Sequence, residues 1–217
     1  MHNEIAGAKE FKIKTRLRSA EIAIAQVLFL FVLPIALLYH NIIPVSGRLY
    51  VLLFVSLLIY GVIKKEGWTE ADFGLTFKTS AKAIKVYTVS TILALSAILL
   101  VSEYFELPPP THWWTKPHFL FLFIVLSFFQ EFAFRGFLMP LLGKIFPDTF
   151  TIVLVNALIF AGMHSIYPYP LVALPFAFIG GLFFSILYKK YPDLILVSIS
   201  HSILNFAAVW FGFFVIK

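Results

Sequence analysis

The sequence predicts an all-α, polytopic membrane helical bundle, and three observations carry that expectation: its composition, the spacing of its apolar runs and the distribution of its basic residues. Of 217 residues, 60% are hydrophobic, 18% aromatic and only 13% charged. Soluble domains run near 45–50% apolar and about 25% charged, so the excess apolar surface here requires lipid as its solvent. A mean hydropathy of +0.92 agrees.

Seven apolar runs follow in order: Ile22–Tyr39, Leu49–Ile63, Val86–Val101, Phe119–Leu142, Phe150–Met163, Leu171–Tyr188 and Leu194–Ile216. At about 1.5 Å per residue they cover roughly 21–36 Å, which brackets a hydrocarbon core of about 30 Å. The short second run is flanked by Arg48, Lys64 and Lys65, whose long stems reach the interface while the apolar part stays in lipid. The first run is 18 residues long and lacks a small-residue cleavage site, so it reads as an anchor and not as a cleaved signal.

The net charge is +6, and in a lipid-embedded chain such an excess sets topology rather than binding nucleic acid. If the seven spans alternate, 13 of the 17 Lys and Arg fall on one side, in the N-terminal tail and in the loops around 64–85, 144 and 189–190. The positive-inside rule then puts the N terminus in the cytoplasm. Residues 1–20 read as a basic cytoplasmic segment and 21–217 as one membrane domain, with Leu107–Thr111 a stiff Pro-rich connector. Tyr39, Tyr50, Trp68, Trp113, Trp114, Tyr167, Tyr188 and Tyr191 fall near span ends, where they serve either as headgroup-level rings or as packing. The absence of cysteine excludes disulfides, thiolate metal sites and thiol nucleophiles.

An ionisable side chain at membrane depth costs at least ~2.5–3.5 kcal/mol, so each one calls for a partner or a function. Glu131 and Arg135 stand four apart on one helical face, where they can neutralise each other. His164 ends the fifth span beside Ala161 and Gly162, and His201 and Asn205 share one face of the last. Alone, each of these reads as an ion pair, an interfacial residue or helix–helix glue. Together they present on three spans the residue types that support hydrolysis: a carboxylate or imidazole to activate water, and Asn with His to donate to an oxyanion. His164, His201 and a glutamate also match the ligand types of a catalytic zinc site, although no H-E-x-x-H motif exists. Metal-free and zinc-assisted chemistry both stay open at this stage.

The ordered set Q-E-x-x-x-R (130–135), F-x-x-x-H (160–164) and H-x-x-x-N (201–205) resembles the CPBP family of membrane endopeptidases, which includes CAAX prenyl endoproteases and bacteriocin-processing or immunity proteins. Arg135-Gly136-Phe137-Leu138-Met139-Pro140-Leu141 and the turn Asp72-Phe73-Gly74-Leu75 resemble the family's context, so the likeness covers about residues 70–207. It implies a bundle of seven to eight helices around a cavity and cleavage of a peptide or lipidated C-terminal tail near the membrane. It further implies that Gln130, Glu131, Arg135, His164, His201 and Asn205 form the catalytic set, with His164 and His201 the residues to hold any zinc. One position departs: Gln130 stands where the family has its water-activating glutamate, and an amide cannot accept that proton. Either Glu131 has taken over, or the chain is a non-catalytic member acting in immunity or peptide binding, or Gln130 was introduced to trap an inactive state. A proton relay through Glu131, His164 and His201 in a transporter is the remaining competitor, but the inverted repeats it calls for are not found.

Overall fold

The computed structural model describes residues 17–76, 78–105, 119–167 and 170–213. The N-terminal lysines, the Pro108–Pro110 connector, Trp113, Trp114, Lys116 and Lys217 lie outside the described residues. Seven helices account for the seven apolar runs. Helix α1 spans Leu17–Tyr39 with a π-helical turn at Leu28–Val32, α2 spans Arg48–Glu66 after a 3-10 turn at Val45–Gly47, and α3 spans Ala81–Phe105. Helix α4 is α-helical over Phe119–Glu131, π-helical over Phe132–Leu138 and α-helical again over Met139–Leu142. Helix α5 covers Thr149–Gly162 and closes in a 3-10 turn, Met163–Ile166; α6 covers Pro170–Lys190 and α7 Leu194–Trp210. Six of these helical segments are long and apolar enough to cross a membrane, and α7 is shorter, stopping before Gly212 at φ 79°. No strand occurs among the described residues.

The bundle is inverted relative to a soluble protein, as lipid solvation demands. Leu28, Phe54, Leu57, Leu93, Leu171 and Ile179 are exposed, whereas Ser127, Glu131, Arg135, Asn156, Ser185 and His201 are buried. Helix α4 sits at the centre, against α2 and α7, while α5 packs along α6. Gly181 makes the α5–α6 approach possible, since a Cβ there would lie 3.0 Å from the Ala157 Cα. Gly162, at the end of α5, faces open space.

Polar caps fix the helix ends opposite Arg48. Asp148 accepts from the Thr151 backbone N–H (2.7 Å), and that bond holds its carboxyl below the usual aspartate range. Asp193 accepts from the Leu196 N–H (2.9 Å) and from the Thr79 hydroxyl (2.5 Å), tying α7 to the segment before α3. The Asp72-Phe73-Gly74-Leu75 turn follows a short 3-10 segment, Glu70–Phe73, and packs under α4: the Phe73 and Phe132 rings meet edge to face at 5.7 Å, and Phe73 O lies against Gly136. Gly74 adopts φ 68° and its carbonyl accepts from the Leu194 N–H (2.8 Å), and the Tyr188 hydroxyl donates to Phe73 O (2.8 Å). Tyr188 is therefore a packing residue rather than a headgroup anchor, whereas Tyr39 and Tyr50 are 61% and 75% exposed at the other end.

A Cβ on Gly74 would fall 2.1 Å from the Tyr188 hydroxyl oxygen. Gly74→Ala is therefore expected to expel the tyrosine and to add a left-handed-backbone penalty of ~1–2 kcal/mol, lowering the unfolding temperature in detergent. Adding Tyr188→Phe removes the clashing oxygen and should recover part of that loss; no recovery would contradict the packing described.

Candidate active site

Helix α4 carries the densest part of the site, and its π-helical stretch begins directly after Glu131. A π turn frees main-chain carbonyls from the helical ladder, and such turns recur at functional sites. Here Phe134 O accepts from Asn156 Nδ2 on α5 (2.8 Å), and Asn156 Oδ1 accepts from the Ser185 hydroxyl on α6 (3.0 Å). All three helices are thus fastened one residue from Arg135.

Glu131 and Arg135 are both fully buried and paired, Nη1 to Oε1 at 3.0 Å. Arg135 Nη2 donates to Gly181 O (3.0 Å), and its guanidinium stands over the rings of Phe160 (4.6 Å) and Phe184 (5.4 Å). The aromatic faces attract the buried cation. Glu131 Oε1 also lies 2.6 Å from His201 Nδ1, so a single carboxylate oxygen receives a guanidinium and an imidazole. Glu131 Oε2 is buried without a hydrogen-bond partner among the described residues.

His164 Nδ1 is 2.9 Å from Phe160 O, one turn back along the helix. That bond accounts for the depth at which the ring sits. Helix side chains lean toward the helix N terminus, and this lean carries the imidazole from the end of α5 down toward the bilayer centre. Phe160 lies between the two histidines, 4.9 Å from the His164 ring and 5.7 Å from His201. The regular α-helix gives way to the 3-10 turn at Met163, one residue before His164.

Two cavities meet at His164. One, of about 420 Å³ and predominantly apolar, is lined by His164, His201, Asn205, Phe160 and Phe184 together with α3 residues such as Ala94 and Ile98. The other, of about 90 Å³, is lined by Gln130, His164, Phe134, Arg48 and Tyr167 together with apolar residues of α1 and α2. Gln130 and Glu131, adjacent in sequence, are about 100° apart around the helix and face different surroundings: Gln130 lines the smaller cavity, whereas Glu131 and Arg135 line neither and stand behind His201. Burial pushes the Tyr167 phenol up, with Arg48 acting in the opposite direction.

One residue of the site escaped the sequence reading. Ser127, fully buried one turn before Glu131, accepts from Asn205 Nδ2 at 3.2 Å. Its position four residues ahead of the only acid of that span was the available signal.

The Nδ1 of each imidazole lies against an oxygen, Phe160 O for His164 and Glu131 Oε1 for His201, the kind of contact that orients a metal-ligating histidine. The donor set falls short, however: among the described residues no group of three or more His, Cys, Asp or Glu could hold an ion, and catalytic zinc takes three protein ligands.

No curated protein and no solved structure matches the chain. Residues 112–207, the stretch that carries Gln130, Glu131, Arg135, His164, His201 and Asn205, match the family described as type II CAAX prenyl endopeptidase Rce1-like.

Proposed function

We propose that the chain is built to hydrolyse a peptide bond at the membrane, with His201 as the base, and that Gln130 makes it a slow form of that enzyme. The observation that carries this reading is the commitment of both Nδ1 atoms, to Glu131 Oε1 and to Phe160 O. It leaves Nε2 as the ring nitrogen with which His201 can accept a proton at the larger cavity. Water gives its proton to His201 Nε2 as its oxygen attacks the carbonyl carbon. The imidazolium that forms is stabilised by Glu131, which Arg135 holds in place. Asn205 Nδ2 has two hydrogens: one goes to the Ser127 hydroxyl, and the second is available to the tetrahedral oxyanion. His201 then returns the proton to the leaving amine as the C–N bond breaks. His164 stands in the wall of both cavities.

Glu131 is in this account a positioning residue, since it lines neither cavity and its engaged oxygen already receives two donors. It does not take over the role of the missing glutamate. The apolar cavity beside His201 suits a peptide attached to a hydrocarbon chain, so the partners are a peptide or lipidated tail and the bilayer, and the N terminus is cytoplasmic by the distribution of Lys and Arg. The non-catalytic reading, an immunity or peptide-binding protein, rests on Gln130.

Asn205→Ala tests the oxyanion role. In a Gln130→Glu background, where turnover is measurable, the loss of one such donor is expected to lower kcat by about 10²–10³-fold with a smaller change in KM. Ser127→Ala should lower kcat less. A change confined to KM would remove Asn205 from the chemistry and assign it to substrate binding.

A further inference from the structure

The seven helices give the bundle two chemically different ends. At one end lie Arg18 and the lysines of the α2–α3, α4–α5 and α6–α7 connections, Lys64, Lys82, Lys144 and Lys190 among them. At the other, where α1 ends, α2 begins and α5 ends, Arg48 is the one basic side chain among the described residues. Basic loops stay in the cytoplasm, so the Arg48 end faces away from it.

The smaller cavity opens at that end. Its lining runs from Phe31 on α1 and Val55 on α2 to Leu38, Arg48 and Tyr167 at the helix termini. Val55 is seven residues beyond Arg48, about 10 Å deeper at 1.5 Å per residue, and Gln130 and His164 line the same space. Arg48 is the only charged side chain in that lining. Its hydrogen bond, Nη1 to Val45 O, is long at 3.4 Å, and no acid pairs with it among the described residues. A guanidinium with no acidic partner among the described residues, in the wall of a cavity that leads to an imidazole, presents its planar fork of donors to whatever anion enters.

We propose that the site is entered from the non-cytoplasmic face and that Arg48 binds the free carboxylate end of the peptide. The peptide part rests on the hydrolase reading above; the direction of entry does not. Extracytoplasmic peptides with an unblocked C terminus are then the substrate class, and an internal segment of a longer protein is excluded from the Arg48 position.

The chain has no cysteine, so single cysteines report access directly. In intact cells a membrane-impermeant maleimide is expected to label Ser46→Cys and Leu52→Cys without permeabilisation, and Lys82→Cys only after it. Ser46 and Lys82 are exposed at opposite ends, and Leu52 lines the cavity. The reverse pattern overturns entry from this face, whatever the catalytic outcome.

For the carboxylate, the purified chain is titrated with one fluorescent apolar peptide as free acid and as C-terminal amide, read by polarisation. The acid should bind about tenfold more tightly, the size expected for one charge-assisted hydrogen-bonded pair. Arg48→Gln should erase the difference and Arg48→Lys keep part of it. Equal affinities overturn the carboxylate role. Protection of Leu52→Cys by phosphatidylglycerol vesicles but not by the acid peptide would overturn it in favour of a lipid headgroup. Normal labelling and acid-selective binding without any hydrolysis by Gln130→Glu would instead sink the hydrolase reading and leave this one standing.

Discussion

Replacing Gln130 by glutamate is expected to raise peptide-bond hydrolysis by about 10²–10⁴-fold, the usual contribution of a positioned general base. Gln130 lines a cavity with His164, where a neutral amide can orient water but cannot take its proton. The carboxylate has the same shape, reaches the same space and adds a second acceptor beside the His164 ring. Because Gln130 is half-buried at a cavity wall, the change should alter thermal stability far less than it alters rate. Turnover of a verified substrate measured for both chains decides the matter. Equal rates would show that position 130 does not limit the reaction and that His201 alone sets its speed.

The second large effect is on folding. Glu131→Leu leaves a fully buried guanidinium with Gly181 O and aromatic faces as its surroundings, and an uncompensated buried charge costs ~3–5 kcal/mol. Arg135→Leu is expected to be milder, because Glu131 retains the His201 Nδ1–H. The double replacement removes both charges, and Gly181 O lies inside α6, where the helical ladder still serves it. It is not neutral, however. His201 loses its acceptor, a cost of about 1–3 kcal/mol for a buried donor, so the double should rank between the wild type and Glu131→Leu. This refines the simple two-residue pair expected from spacing, since Glu131 serves two donors. Thermal unfolding in detergent orders the four chains, and a double as unstable as Glu131→Leu would show that the ion pair is not what stabilises the centre of α4.

The seven spans were legible because lipid imposes a length and forbids charge, so composition alone marks them; the last helix ends at Trp210 although Phe211–Phe213 continue the apolar run. The polar residues at membrane depth were legible for the same reason, as each is costly there. What the sequence withheld was direction. Gln130 and Glu131 are neighbours that turn to different surroundings, and no pattern announces the π-helical stretch Phe132–Leu138, which depends on Asn156 reaching across from α5. Asn156, Ser185 and Ser127 look like ordinary helix glue until their partners are known. Counting Cα positions along the spans sets His164 and His201 at different depths; the backward lean of the His164 ring onto Phe160 O is invisible to that count.

The central claim is that His201, oriented by Glu131, carries the proton in peptide-bond hydrolysis. The direct test incubates a membrane-proximal peptide with the purified Gln130→Glu chain and with Gln130→Glu/His201→Gln, and reads the products by mass. The account predicts a new C terminus from the first chain and none above background from the second, with both unfolding at similar temperatures. Undiminished cleavage by the chain lacking His201 would contradict it.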